Sequence, residues 1–420
     1  MQRKKTILVA GGYGRTNLGD EAQCEETLKT LANRYPNYQI INLTPDVEQS
    51  KKLHPDFYHD LASRVALFNE NEFFDLFSIG KSIFKIWRVP MFWFKAILVF
   101  LNAYLVKYER PTFLLNAKAV KYLVELNDAS LFYFCGCGCL TGYTLSRLWD
   151  GIVFCKLCEI FETPVVMSGQ TIGLWINKFN EVLAKWAFKS VKIITVRDEE
   201  FSLNDLAKIG LKGKNYFATH DDALYCAKSE QNVIQESNYI VMQFHYWGMN
   251  KKQKKIYLNK INNFINYILN TTNYKIVFIP MAECDPISFD DYMKKFPDER
   301  IINLKYEMDF RKIRRIIADS KICITMKHHP IIFAMGEDVP TIGLYYSHYY
   351  KHKNVGALSQ YGQEKFSINL EENDYLEQFK FLFNEISTYR KEIIDTIQSR
   401  KKILNERKEK FLKEVDLILN

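Results

Sequence analysis

Short apolar, β-branched runs alternate with helical stretches twice along this chain, and that alternation confines it to an α/β architecture. In the first series, residues 7–10 read as a strand, 11–20 as a glycine-rich loop, and 21–34 as a helix with Ala22, Leu28, Leu31 and Ala32 on one face. Further strands are predicted over 38–43, 131–135, 164–167 and 193–196. After a polar stretch at 228–237, the second series has strands over 239–243, 275–279, 321–325 and 341–344, and helices over 252–269 and 310–318. Parallel sheets built this way hold ligands beyond the carboxyl ends of their strands. The expectation is two Rossmann-like α/β domains, 1–227 and 238–388, facing an interdomain cleft. Residues 389–420 mix acids and bases around Ile393, Ile397, Ile403, Leu404, Phe411 and Leu412, which predicts C-terminal helices packed on a domain.

The 420 residues suffice for two domains, and 47% hydrophobic with 25% charged residues excludes a disordered chain. Lys and Arg number 57 against 49 Asp and Glu, a formal charge of +8 that suits anionic small molecules, anionic lipid and nucleic acid alike. The run at 7–10 is too short for a signal peptide. Nine scattered cysteines, an odd number, predict reduced thiols in the cytoplasm. Cys135, Cys137 and Cys139 alternate and Cys155 and Cys158 lie one turn apart, but paired Cys-x-x-Cys sets are lacking and no metal site is expected.

An aromatic segment, 81–107, interrupts the first series. Arg88, Pro90, Lys95 and Asn102 break its apolar run, which argues against a spanning helix. One reading is a helix buried in the fold or in a dimer contact. The other is peripheral membrane contact, with Trp87, Phe92, Trp93 and Phe94 in the interface and Lys81, Lys85, Arg88, Lys95 and Lys107 on anionic headgroups.

The string Gly11-Gly12-Tyr13-Gly14-Arg15-Thr16-Asn17-Leu18-Gly19-Asp20-Glu21-Ala22 fits neither the P-loop nor the dinucleotide spacing. As a whole it resembles the opening signature of the polysaccharide pyruvyl transferase family. Gly136-Cys137-Gly138-Cys139-Leu140 is similar to that family's Gly-Gly-Gly-x-Leu segment, and Gly169-Gln170-Thr171-Ile172-Gly173 to its Gly-Gln-x-Ile-Gly loop. Arg197-Asp198 with Ser202, then Asp221-Asp222-Ala223, Ile279-Pro280-Met281 with Asp285, and Lys327-His328-His329 follow in the family's order.

The resemblance implies the two-domain architecture of B-type glycosyltransferases. It also implies transfer of a pyruvyl unit from phosphoenolpyruvate, a substrate rather than a cofactor, onto two hydroxyls of a sugar in a cell-surface polysaccharide or its lipid-linked precursor. On that reading Arg197 and Lys327 are the donor cations, and Gly14, Asn17, Gly169 and Gln170 are further donor-binding residues. His329 and Asp20 are the proton-transfer candidates, against packing for the first and helix capping for the second. Tyr345, Tyr346 and Lys353, on a loop after a strand, would face the saccharide acceptor. Lys327 stands where the family carries arginine and offers a point charge in place of a bidentate fork. That exchange leaves a second function open, a glycosyltransferase using a nucleotide-sugar donor. The expected setting is the cytoplasm, peripheral to the inner membrane face, with no nucleic-acid partner and with a homo-oligomer not excluded.

Overall fold

A computed structural model describes residues 5–68, 82–234, 238–246 and 249–420, apart from the side chains of 63–64 and 82–88. Two parallel sheets organise the chain. The first contains β1 (Thr6–Ala10), β2 (Gln39–Thr44), β3 (Tyr58–Leu61), β4 (Leu131–Phe134), β5 (Val165–Gln170), β6 (Ile193–Val196) and β7 (Tyr216–Ala218), in the order β3-β2-β1-β4-β5-β6-β7. The second contains β8 (Tyr239–Gln243), β9 (Lys275–Phe278), β10 (Ile301–Asn303), β11 (Cys323–Thr325), β12 (Thr341–Tyr345) and β13 (Ser367–Asn369), in the order β10-β9-β8-β11-β12-β13. Strand order reverses between β1 and β4 in one sheet and between β8 and β11 in the other, so each sheet opens a crevice at its carboxyl edge there.

The central strands are continuous apolar runs because helices cover both faces. Ile7, Leu8 and Val9 of β1 are all buried, as are the five residues of β8. Helix α1 (Leu18–Arg34) begins three residues before the sequence reading placed it. The Asn17 side chain accepts from the N–H groups of Gly19 and Asp20 and caps that start. Leu18 and Ala22 insert into the core of the second sheet, and the Leu18 N–H donates to the Met281 carbonyl at 3.0 Å. The two sheets thus meet through the first turn of α1.

Helix α2 (Ser82–Lys107) continues through Pro90. Its stretch Val89–Lys107 is long and apolar enough to cross a bilayer by length and composition alone, a test that a helix packed in a protein core also passes. Asn102 does not disrupt it, since its amide donates to the Leu98 carbonyl and its oxygen accepts from the Phe113 N–H. One face of α2 packs into the first core on α3 (Leu145–Phe161), beside α4 (Lys178–Phe188). Of the rings expected at a membrane, Phe92 is buried, stacked on Phe68 at 5.0 Å, and Trp93 is half-buried against Trp149. Phe94 faces outward. The side chains of Lys81, Lys85, Trp87 and Arg88 lie outside the described residues.

In the second half, α5 (His328–Gly336) follows β11 and α6 (His348–Gln360) follows β12. Residues 348–353 are therefore helical rather than loop. The tail is one helix, α7 (Arg390–Leu419), that serves both halves. Ile393, Ile397 and Leu404 join the second core, whereas Phe411, Leu412 and Val415 join Ile7, Val9 and Tyr133 under the first sheet.

Candidate functional site

The loops after β1, β4, β5, β6 and β7 converge with the segment after β11 and the first turns of α6. Arg197, at the end of β6, is buried. Its Nε donates to Thr171 Oγ1 at 2.6 Å and its Nη1 to Asp221 Oδ2 at 2.6 Å. Its Nη2 meets no hydrogen-bond partner among the described residues. That nitrogen points toward Gly138, where a β-carbon would lie 3.2 Å from it and 3.0 Å from the ammonium of Lys353. A side chain at 138 would fill the space the two cations share.

Asp221 joins the halves. It receives Gln23 Nε2 at 2.8 Å and faces His328 Nε2 at 3.1 Å as well as Arg197. Burial works against its charge, but Arg197 and His328 prevail and hold the carboxyl well below its ordinary range. Burial, reinforced by Arg197, pushes the His328 ring down to about 4. A neutral ring carries one proton, although both its nitrogens face acceptors, Asp221 and the Lys353 carbonyl.

Asp20, in the first turn of α1, is pushed up to about 7. Burial is the main cause and the Cys139 sulfur adds to it, while Lys353, Arg147 and Arg197 pull the other way. Its Oδ1 lies 3.9 Å from His329 Nε2. The His329 ring is buried and packs on the Gly19 backbone; burial drives its pKa well down, so it is neutral.

The structure brings Asp20, Arg197, His329 and Lys353 together and leaves other expected residues elsewhere. Lys327 is not an open cation: its ammonium lies 2.6 and 2.7 Å from the two oxygens of Asp285, a buried residue that also accepts from the Met281 and Ala282 N–H groups. Gln170 donates its amide to the Phe134, Cys135 and Ser168 carbonyls, which pins the strand ends on either side of the glycine loop. Gly169, at φ +54°, lets that turn pass beneath the His220 carbonyl. Gly14, at φ +81°, packs on Thr44 and Pro45 and donates its N–H to Glu21. Asn17 is engaged as the cap of α1. The Tyr346 ring lies tilted against those of Tyr350, at 4.8 Å, and Tyr257, at 5.2 Å, and Tyr345 is half-buried at the end of β12. Lys353 stands with Arg197 rather than with those tyrosines.

Sequence reasoning missed Arg147, in the first turn of α3. Its Nη1 donates to Cys139 Sγ at 3.4 Å, and its charge acts on Asp20. A base just beyond a glycine loop, at the start of a helix, was the available signal. It also missed His245, which lies at the end of β8 with its ring 5.3 Å from Tyr350. The site is thus a half-buried carboxyl that titrates near neutrality, set among Arg197, Lys353 and Arg147. Such a constellation binds an anion and moves a proton beside it.

Solved structures share this two-sheet arrangement. A UDP-N-acetylglucosamine 2-epimerase described as putative, from Listeria monocytogenes, superposes with a TM-score of 0.59 at 10% identity, over 98% of this chain and 97% of that one. The UDP-GlcNAc 2-epimerase of Methanocaldococcus jannaschii gives 0.55 at 11%, over 90% and 92%. A glycosyltransferase from Rickettsia africae gives 0.54 at 11%, over 98% and 99%. At such identities the likeness concerns the fold, which is that of the B-type glycosyltransferases. No curated protein matches the chain by sequence. The sequence model named polysaccharide pyruvyl transferase matches residues 17–348, a span that includes Asp20, Arg147, Arg197, His329 and the first strand of each crevice wall in the second half. On that match, the chain belongs to the polysaccharide pyruvyl transferase family.

Proposed function

We propose that the protein is a transferase that moves a pyruvyl group from phosphoenolpyruvate onto two hydroxyls of one sugar, forming a cyclic ketal and releasing phosphate. The acceptor is a saccharide of a cell-surface polysaccharide or its lipid-linked precursor. The observation that carries this reading is the Arg197 Nη2 left without a partner among the described residues beside Lys353, next to an Asp20 whose carboxyl is pushed up to about 7. The donor bears a carboxylate and a phosphate, and Arg197, Lys353 and Arg147 supply the charge to hold them.

Protonated Asp20 delivers its proton to the donor's methylene carbon, and the adjacent carbon becomes electrophilic. The first hydroxyl adds there and gives up its proton to the carboxylate that Asp20 has become. The carbon–oxygen bond to phosphate then breaks, the second hydroxyl closes the ring, and its proton leaves with the phosphate. A group with a pKa near 7 exists in both required forms at neutral pH. Neutral His329, 3.9 Å from Asp20, is placed to orient the carboxyl or contact the leaving phosphate. Nine free thiols fit a cytoplasmic setting.

Lys327 favours a second reading, a glycosyltransferase that takes a nucleotide sugar, because its pairing with Asp285 removes it as a donor cation. Phosphate release from phosphoenolpyruvate in the presence of a saccharide acceptor, set beside calorimetric titration with nucleotide sugars, decides between them. Release dependent on acceptor supports pyruvyl transfer. Nucleotide-sugar binding without release overturns it.

A further inference from the structure

Glu21 and Glu25 leave α1 one turn apart and close on the ring of His54, which ends the short helix Val47–Leu53. All three residues are only 2–4% exposed. The imidazole Nε2 lies 3.2 Å from Glu21 Oε2 and Nδ1 lies 3.6 Å from Glu25 Oε2, so each ring nitrogen faces a carboxylate. A neutral ring carries a single N–H and would turn a bare lone pair to one of them, whereas the imidazolium presents a proton to each. Burial opposes that charge, but Glu21 and Glu25 prevail and raise the ring's pKa above the ordinary 6.5.

Each carboxylate passes the grip on. The second oxygen of Glu21 accepts from the N–H groups of Gly14 and Arg15, at 2.7 and 3.2 Å. The Arg15 carbonyl accepts from the amide of Gln49, on the same short helix as His54, and the Thr16 carbonyl from the hydroxyl of Tyr306, in the second half. Together these bonds set the course of the glycine loop into the first turn of α1, which carries Asp20. Glu25 reaches the other way and pairs with Lys29 and with Arg311, on helix Phe310–Ala318 of the second half. Burial works against its charge, yet His54, Lys29 and Arg311 outweigh it and hold the carboxyl at about 2. The other titratable groups nearby leave the His54 charge to those two acids. His59 of β3 faces the His54 carbonyl at 2.9 Å and burial lowers its pKa, so its ring is neutral. Lys51 engages Glu48, and burial drives Tyr13 and Cys24 well up, so both stay protonated.

We propose that His54 is a positioning residue for the candidate site: as an imidazolium between Glu21 and Glu25, it fixes the glycine loop that leads to Asp20 against both halves of the protein. The inference rests on Asp20 as the proton-transfer group of the proposed reaction, and His54 acts on it through Glu21 and the loop.

The test follows the eight histidines of the full chain by NMR titration. Burial drives His59, His220, His245, His328 and His329 below 6.5, so a ring that titrates above it stands out. That signal should vanish in His54→Gln and move to lower pH in Glu21→Gln, which keeps an oxygen for the two loop N–H groups but removes the charge. In His54→Gln the Gly14 and Arg15 amides should exchange about 10-fold faster. Its kcat for phosphate release should fall roughly 10- to 100-fold, because the loop before Asp20 shifts. The KM for phosphoenolpyruvate should change less than about 3-fold, since Arg197, Lys353 and Arg147 are untouched. The unfolding midpoint of wild type should exceed that of His54→Gln below pH 6.5, and the advantage should be lost as pH rises through the raised pKa. If His54→Gln misfolds, Glu21→Gln keeps the test decisive through the shifted titration and the same kcat loss. A wild type with no histidine titrating above 6.5, or a His54→Gln variant with wild-type exchange and turnover, overturns the proposal. So does faster exchange spread evenly over α1, with kcat and KM altered in parallel, which would mark a structural role alone. A wild type that releases no phosphate overturns the pyruvyl reading instead, and the titration and the loop exchange then decide the case of His54.

Discussion

The imidazole of His329 rests directly on the backbone of Gly19, so closely that a methyl group on residue 19 would overlap the ring's Cγ and Nδ1. The contact joins the first turn of α1 to the first turn of α5, which belong to different sheets. Gly19→Ala should push the two turns apart and displace Asp20, its immediate neighbour. Overpacking of this kind costs about 1–3 kcal/mol of stability, and a displacement near 1 Å costs roughly 100-fold in rate. The expected outcome is a modestly lowered unfolding midpoint with phosphate release reduced about 100-fold. A variant with wild-type turnover would show that the contact does not set the site's geometry.

Asp20 should govern the pH profile. Its carboxyl is raised from an ordinary 3.8 to about 7, so the rate should pass through a limb near neutrality that is absent from Asp20→Asn. Loss of a positioned proton-transfer group costs roughly 100- to 10,000-fold. Stability gives an independent readout. A carboxyl whose folded pKa is raised favours the folded state most at low pH, and that advantage is lost as pH rises from about 4 through about 7. Asp20→Asn should therefore be more stable than wild type at pH 8, by on the order of 1–4 kcal/mol, with the difference shrinking below pH 4. Urea unfolding at the two pH values measures it.

Lys353 and Lys327 should separate binding from stability. Lys353 makes its nearest described polar contact with the Tyr349 hydroxyl, at 3.5 Å. Lys353→Ala should weaken phosphoenolpyruvate binding by about 2–5 kcal/mol in calorimetry, with little change in unfolding midpoint. Lys327→Ala leaves the buried carboxylate of Asp285 without its cation, which should cost on the order of 3 kcal/mol of stability. The opposite pattern, affinity lost with Lys327 and stability with Lys353, would return Lys327 to the donor site.

Lys408 of α7 reaches Ser168 Oγ at 2.6 Å and the carboxylate of Asp222, which in turn accepts from the Gly136 N–H at 2.9 Å. Lys408→Met should destabilise the protein by roughly 3–5 kcal/mol, because Asp222 is left charged and buried. The glycine loop over 136–139 should loosen as well, read as faster amide exchange at Gly136. Unaltered exchange there would confine the role of Lys408 to α7.

Sequence pattern carried the centre of each sheet better than its rim. β1, β8 and β11 are dominated by buried apolar residues, with a polar residue only at an end, because covering both faces of a parallel sheet demands them. The rim strands β3 and β13 are short and half-covered, and Tyr-His-Asp-Leu or Ser-Ile-Asn offers no period to read. In the site, Arg197 and Asp20 were legible because each sits in a loop just past a strand or at a helix start. The pairing of Lys327 was not, since Asp285 is 42 residues away and reaches it only through the adjacency of β8 with β9 and β11. Nor could periodicity decide between Phe92 and Phe94, because α2 carries apolar residues on both faces and packing alone selects the one turned inward.

The placement of α7 has a consequence for how the protein is made. Phe411 and Val415 lie in one core with Ile7 and Val9, and the Phe411 ring is 5.9 Å from Tyr133. Arg34, at the end of α1, closes on Asp416 at 2.6 Å. Strand β1 is thus covered by a helix that is synthesised long after it. At about 5–20 residues per second, roughly 20–80 s separate the two events. During that interval Ile7, Val9 and Tyr133 have α1 to cover them but lack Phe411, Leu412 and Val415, so part of that face stays open to solvent or to a chaperone. A message truncated just before residue 411 would release a chain with that core permanently open on the α7 side, so aggregation or degradation, rather than a smaller active enzyme, is the expected product.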